Sequence, residues 1–507
     1  MPSRPETENE PFYAYDSDCE ACNDGAALLT LYDFDGICQC VAFAGIHCWE
    51  NIEKIAHGTL YKVFLLTDVS DKESPQKAIM KITHPSFGPS AHVDKTVNSE
   101  GATMRFASRE FNLPVPEVLL REQRGYLEDP KGFSNGLWWD SVQEDSKGDP
   151  DPWPYPVTKH LLIREAEGTR LSQAWKQLDS KSQVNAINEI LKFEKKLASH
   201  HFEWHGCLYI DREYGCNGEK SRYKLIGFPM DGNWVADPPP QHYYMGPYVG
   251  NEALGTETRP EENHHGPWSS AVEYVKSVLK YEIDCLSKYD NSPDVQIKLL
   301  KEASSIVENV FPKNIESAPA QIQHPHLSFD NIFVDEQGHI KSVIGWRGAW
   351  VGPAFAAQPP TAFEFCGHDE VLALPEAFIS QLKPEASEEI SQQLLARTEE
   401  HREATNNPIS SLINIAMKTR EYGILPLKHY LIQVQRHWDR FEAESPCPYE
   451  FTTDEVKQHL EELEGLGEGE EAKVKRACLQ ATRWLQEKAG GVVVENDWSE
   501  FRRCFKL

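Results

Sequence analysis

Two histidines spaced one residue apart, His324 and His326, open the stretch QHPHLSFDNIFVDEQGHIKSVIGWRGAWVGP, which runs from Gln323 to Pro353. Asp330 and Asn331 follow within a few residues, and Trp346 and Arg347 close the stretch in a Gly-Trp-Arg loop. Between these polar groups lie two short apolar runs, Ile332–Asp335 and Ile340–Ile344, separated by a turn at Glu336–Gly338. A strand hairpin with polar loops at its ends can aim short side chains at one point, which is how proteins hold phosphates and metals. Histidine titrates near neutrality and can take or give a proton there. Arginine can fork onto a carboxylate or phosphate.

Far upstream, Ala78-Ile-Met-Lys-Ile82 sets a single cation, Lys81, in an apolar strand pattern. Most such lysines snorkel to solvent. One that does not must meet an anion, since an unpaired buried charge is costly. Glu100 is a ready partner, in a helical stretch from Val97 to Phe111 with Met104, Phe106 and Phe111 at apolar positions. Leu113-Pro-Val-Pro then ends that helix, because proline lacks the amide a helix needs and restricts its predecessor.

These features in this order resemble the aminoglycoside-phosphotransferase/choline-kinase family, in its fungal branch. Further landmarks are HFEWHGCLYI near residue 205, Gly266-Pro-Trp before a long helix, and the Pro-x-Pro exit. Together they run from about Ile52 to Pro353. The resemblance implies an α+β, bilobal, protein-kinase-like fold, with a small lobe of antiparallel sheet plus helix and a large, mainly helical lobe. It implies that Lys81 pairs with Glu100 and contacts nucleotide phosphates, with Gly58 in the loop that covers them. His324 takes the place of a loop-bracing histidine and Asn331 that of a metal-side asparagine. Asp330, Trp346 and Arg347 lie where a substrate would be met.

Two residues depart from the pattern. The family's catalytic aspartate is His326 here, and its metal aspartate is Gly345. Magnesium prefers carboxylate oxygens, so Asn331 alone anchors it poorly. Losing a bridging metal forfeits several kcal/mol of transition-state stabilisation, roughly a thousandfold or more in rate. Three readings stay open. The chain is a decayed kinase-like scaffold or regulator, or a repurposed cleft enzyme with His326 as acid or base, as in fungal specialised metabolism. Alternatively it is a residual ATP-dependent phosphotransferase with weakened magnesium. A small molecule or nucleotide between the lobes is the expected ligand, although the scaffold reading also allows nothing to bind there.

The elements that must position these groups follow from periodicity. Strands are expected at Ile52–Gly58, Leu60–Thr67 and Ala78–Ile82, and a hinge strand over 161–168. The expected division is an N-terminal extension over 1–48, a small lobe over 49–160 with an insertion after 121, and a large lobe over 169–507. Helices are expected at Lys181–His200, Ser269–Tyr289, Glu385–Thr405, Pro408–Glu421, Pro426–Glu442, Asp454–Gly465 and Glu470–Ala489.

Composition bounds the rest. With 507 residues the chain is too long for one small core. Its 51 Lys+Arg against 79 Asp+Glu leave a formal charge of −28, which disfavours extended nucleic-acid binding. No apolar run is long enough for a membrane span, and the acidic first residues lack signal- or transit-peptide character. Twelve cysteines are too sparse for a disulfide scaffold, so a reducing cytoplasm is the expectation. Cys19-x-x-Cys22 and Cys38-x-Cys40 are close enough to suggest zinc, but the Cys-x-Cys spacing and missing knuckle glycines favour reduced thiols. Oligomeric state is not expressed in the sequence.

Overall fold

A computed structural model describes residues 51–57, 61–68, 76–83, 90–123, 126–127, 160–210, 224–225, 243–249, 265–287, 294–311, 320–356, 364–366, 371–374, 376–405, 407–417, 419, 423–441, 443–465, 474 and 477–478, plus two strand fragments at 13–14 and 30–31. Gly58, the four N-terminal cysteines and almost all of the 121–160 insertion lie outside the described residues.

The apolar-rich runs of the first part pair into one antiparallel sheet. Strands β1 (Asn51–His57), β2 (Tyr61–Asp68) and β3 (Gln76–Thr83) form a meander, and β5 (His160–Arg164) pairs with β3. The β4 strand (Val118–Gln123) lies beyond β5, with Tyr126–Leu127 at the edge. Between β3 and β4 runs helix α1, Ser90–Arg109, longer at its start than periodicity suggests. Val97, Met104 and Phe106 are buried on it, and Phe106 meets Phe111, Phe202 and Tyr243 edge-on or tilted. Aromatic contacts of this kind fix an angle as well as burying area.

The chain leaves the sheet at Arg164, and Thr169–Arg170 (β6) already pairs with a strand of the hairpin. The crossing therefore needs only a few residues. Its amides are tied at both ends, from Glu165 to the Lys77 carbonyl at 3.2 Å and from Glu167 to Ser342 Oγ at 3.0 Å.

The large lobe begins with α2, Ser180–Ala198, started by Asp179, whose side chain accepts from the Ser182 amide. Its buried Ala186, Ile187, Ile190, Phe193 and Leu197 follow the helical period. Strands β7 (Cys207–Ile210) and β8 (Tyr243–Gly246) pair antiparallel, and α1 packs against β7, joining the lobes. Helices α3 (Ala271–Ser287) and α4 (Asp294–Val310) pack on each other. Helix α4 is not anticipated from the sequence, although its buried Leu299, Leu300, Ala303, Ile306 and Val307 carry a clear period.

The Gln323–Pro353 stretch folds as a hairpin inside a clamp. Strands β9 (Ala320–Gln323) and β12 (Trp350–Pro353) pair with each other, Gln323 opposite Trp350. Within that clamp, β10 (Ile332–Val334) and β11 (Ile340–Val343) form the expected hairpin, with β6 as a third strand. Asp335 staples its turn, accepting through Oδ1 from the amides of Gln337 and His339 at 3.0 and 2.9 Å. It is thereby committed to the turn. Ile332, Val334, Val343 and Trp346 enter one hydrophobic core with α1 and α2, whereas Trp350 and Phe355 enter a second with α3 and α4. The hairpin thus joins both cores.

Further helices among the described residues include α5 (Pro384–Thr405), α6 (Pro408–Ala416), α7 (Leu425–Arg436) and α8 (Thr453–Glu464). Helices α6 and α7 end earlier than their apolar patterns, α7 giving way to a 3-10 turn at Trp438–Phe441. The architecture is an N-terminal antiparallel sheet with one helix, followed by a mainly helical lobe: the expected kinase-like α+β arrangement. Among the described residues, no helix is long and apolar enough to cross a membrane. Cys207, Cys285, Cys447 and Cys478 are thiols rather than disulfides.

Candidate active-site cleft

The site begins on β3. Register places Lys81 opposite Val63 of β2, so Tyr61, two residues earlier on β2, shares its face as a diagonal neighbour. Lys81 and Glu100 form a tight ion pair, linking strand to helix. The Glu100 side chain is 1% exposed and that of Lys81 16%, so the pair is shielded while the ammonium still reaches the cleft. Tyr61 completes the unit: its hydroxyl donates to Glu100 Oε2 at 2.9 Å, and Lys81 Nζ stands 4.3 Å from its ring centroid. Burial and then the Glu100 charge push the Tyr61 phenol well above its usual range, so it remains a donor. Tyr61 is the functional residue that motif matching passes over; the alternation along β2 was the signal for it.

Opposite this unit lies the loop before β10. The His326 amide donates to His324 Nδ1 at 3.2 Å, which fixes that nitrogen as an acceptor and His324 as neutral. Burial, then the nearby His326, hold the His324 imidazole down at about 3. Its Nε2 is buried without a well-formed hydrogen bond, although the Ile344 backbone weakly favours the charged form. The ring stands edge-on to Trp346, centroids 4.6 Å apart. His324 therefore braces the loop from inside. His326 is half-buried, and its pKa is lowered first by burial and then by Arg347 and Lys81, with Glu100 acting the other way. Those influences place His326 within electrostatic reach of both sides of the cleft.

Asn331 points back into its own loop, donating through Nδ2 to the His326 carbonyl at 2.8 Å. Gly345 sits directly beneath it at φ +89°, a left-handed conformation. A Cβ at Gly345 would lie 2.9 Å from Asn331 Nδ2, 3.1 Å from its Cγ and 3.5 Å from His326 Cβ. A side chain at Gly345 would thus press on the Asn331 amide, which would have to shift to admit it.

The next residues turn sharply, Ala349 donating its amide to the Trp346 carbonyl at 3.0 Å, with Gly348 at φ +75° supplying the third position of the turn. This turn sends the two neighbouring side chains apart. Trp346 is fully buried, donates Nε1 to the Val343 carbonyl at 2.9 Å and packs near Phe193. It packs as a core wall with no exposed surface, set apart from the half-buried His326 and Arg347. Arg347 is half-buried, and its charge is felt by both His326 and Tyr61. Asp330 is exposed and its carbonyl accepts from Arg170 at 3.3 Å. Lys81, Glu100, Tyr61, His326 and Arg347 come together; Asp330 stands at the rim.

The residues present do not fit a divalent cation. Gly345 brings no side-chain oxygen, Asn331 turns its Nδ2 onto the His326 carbonyl, the Glu100 carboxylate is held by Lys81 and Tyr61, and Asp335 staples the turn. Among the described residues, no group of three or more His, Cys, Asp or Glu side chains converges as a metal site would. The charged side chains that act on His326 are instead Arg347 and the Lys81–Glu100 pair.

No protein-family model matches the chain. A subtelomeric hrmA-associated cluster protein of Aspergillus fumigatus is 22% identical, the match spanning 83% of this chain and 86% of that protein. Altered inheritance of mitochondria protein 9 of Kluyveromyces lactis is 21% identical over 89% of this chain and 76% of its own length. These relatives in sequence are fungal. Among solved structures, a thermostable mutant of aminoglycoside phosphotransferase APH(4)-Ia with ADP and hygromycin B covers 88% of this chain and 97% of its own at 13% identity, with a TM-score of 0.36. Choline kinase LicA of Streptococcus pneumoniae covers 85% and 98%, at 10% identity and a TM-score of 0.29. The kinase-like arrangement accordingly rests on this chain's own geometry, above all on the strand-to-helix ion pair facing the hairpin loop.

Proposed function

We propose that this chain is a nucleotide-binding, kinase-like protein that has given up ordinary magnesium-dependent phosphoryl transfer. The observation that carries the reading is the assembled Lys81–Glu100 pair, braced by Tyr61 and facing a hairpin loop that lacks both acidic residues. A lysine held this way offers a fixed charge to phosphate oxygens. Without the pair, the strand lysine would have no reason to be buried. The Aspergillus relative is named for a gene cluster and the Kluyveromyces relative for mitochondrial inheritance; neither name carries a reaction. A regulatory or scaffold role for the nucleotide-bound form agrees with that.

The test is thermal unfolding of the full chain against rising ATP and ADP. A bound nucleotide raises the midpoint progressively, by about 2.7 kcal/mol in stability at a hundredfold excess over Kd. Lys81→Met should abolish the rise. A midpoint indifferent to both nucleotides overturns the reading.

A second reading, a cleft enzyme working on a small molecule, is favoured by His326 alone. Burial and Arg347 keep that imidazole neutral, and so able to accept a proton beside two cations. His326→Ala that retains full function in the cell removes this reading. ATP turnover that needs magnesium would instead support the third, a residual phosphotransferase. Thiols rather than disulfides at Cys207, Cys285, Cys447 and Cys478 agree with residence in a reducing compartment such as the cytoplasm, while the mitochondrial name of the Kluyveromyces relative makes co-fractionation with mitochondria the outcome to look for.

A further inference from the structure

The cleft that would hold a nucleotide lacks what a metal needs, yet it is not short of positive charge. Gly345 occupies a left-handed backbone position, and the amide of Asn331, tied to the His326 carbonyl, sits above it. Two residues on, the tight turn at Trp346–Ala349 drives Trp346 into the core, while Arg347 stays half-buried with its charge acting on both His326 and Tyr61. Lys81 has a partly exposed side chain, and its ammonium is held by Glu100 and the Tyr61 ring.

We infer that the cleft binds its phosphorylated ligand as the free anion, with Arg347 and Lys81 taking over the charge neutralisation that a divalent cation would otherwise supply. This rests on the nucleotide-binding reading above and specifies the ligand's form. The physical reason is competition. A magnesium-complexed triphosphate arrives with much of its charge already neutralised and with waters still on the metal. Against Arg347 and Lys81 it meets cations where it needs carboxylates. An uncomplexed polyphosphate offers the planar guanidinium paired oxygens and the ammonium a point charge, the geometry each group recognises.

Burial and then Arg347 lower the His326 pKa, so the inference assigns the positive charge to Arg347 and Lys81. Nothing in the inference requires turnover.

The test is calorimetric titration of the full chain with ATP, in excess EDTA and in saturating magnesium, with inorganic tripolyphosphate as the second probe. The expected result is metal-free ATP binding at least as tight as binding with magnesium. Arg347→Gln should weaken metal-free binding by about tenfold or more without being rescued by magnesium, as expected for loss of a charge-assisted contact. Arg347→Lys should recover part of it. Circular dichroism and the melting midpoint show whether each variant is folded. If either variant is not, the wild-type comparison with and without magnesium decides alone.

Binding that magnesium strengthens tenfold, or an unchanged affinity in folded Arg347→Gln, overturns the inference and leaves the nucleotide reading standing. Tripolyphosphate binding without metal, with no ATP binding, supports the inference and removes the nucleotide. No binding of either anion under any condition overturns both.

Discussion

Glu100 is a carboxylate buried to 1% exposure, and its cost is met by two donors, Lys81 and Tyr61. Removing one partner of a buried pair leaves an uncompensated charge, at a cost of about 3–5 kcal/mol. Lys81→Met should therefore destabilise the chain by about that much, while Lys81→Met with Glu100→Gln should recover most of it. Denaturant unfolding of the four-member cycle measures this, and additive losses would show that the pair is not coupled. At Gly345 the constraint is conformational. Placing alanine there should cost about 1–3 kcal/mol, because the φ of +89° disfavours a side chain and Asn331 lies within 3.1 Å of the new methyl. Gly345→Asp should for the same reason fail to create magnesium-dependent ATP turnover, and a simple activity assay with and without magnesium checks it. The types of these residues were legible early. Lys81 and Glu100 stand out by pattern and order, and His326 and Gly345 by the resemblance to the phosphotransferase family, whereas the space above Gly345 is a matter of where Asn331 turns, which no spacing encodes.

The hairpin is the element through which these residues are held. It is clamped by β9 and β12, capped by Asp335, and tied to the small lobe where the Val343 amide donates to the Pro114 carbonyl at 2.8 Å. Pro114 belongs to the exit of α1, the helix that carries Glu100, so one short path connects the ion pair to the loop that faces it. Trp346 supplies most of the packing. Trp346→Ala should cost about 3–5 kcal/mol in equilibrium unfolding, as expected for emptying a fully buried indole site. Its effect on nucleotide binding should follow from lost stability alone, and a binding defect in a fully folded variant would return Trp346 to the ligand. The two hairpin strands were readable because alternation and a Gly-containing turn are local. The clamp was not, because β9 and β12 are four residues each and lie some thirty residues apart in sequence. Helix α4 had a readable period but no adjacent motif to draw attention to it.

At the scale of the whole molecule, several histidines are sealed in a neutral state. His459 Nε2 lies 3.4 Å from His429 Nδ1 between α8 and α7, and both are fully buried. Burial lowers His459 to about 3 and His429 well below its usual value, and Lys428 and Arg436 add to these effects respectively. His205, lowered to about 4, and His324, lowered to about 3, behave likewise. In each case the folded pKa lies below the unfolded value of about 6.5, so below that pH the unfolded chain binds more protons. Stability should be complete above about pH 6.5 and fall steadily towards pH 4, by roughly 1 kcal/mol per pH unit for each such group. Glu194 and Glu302, whose pKa values burial raises, act in the opposite direction at the acid end. Denaturation midpoints measured from pH 7.5 to 4.5 check the slope. His459→Gln should flatten it, and an unchanged slope would show that the pair is not a determinant.

By itself, the sequence determined the chemical inventory and its order: a strand lysine, a helix glutamate, a Pro-x-Pro exit, and a hairpin with histidine and glycine at two decisive places. Those signals are local, since periodicity, turn chemistry and residue type act over a few neighbours. Tertiary structure decided what each group is free to do. It turned Asp335 into a staple, sank Trp346 into the core, locked His324 as a neutral brace and enlisted Tyr61 behind the ion pair. It also set the Asn331 amide above Gly345 and brought the charge of Arg347 to bear on His326 and Tyr61. Availability of a side chain depends on which distant groups already hold it, and those contacts exist only once sheet, helix and hairpin have met.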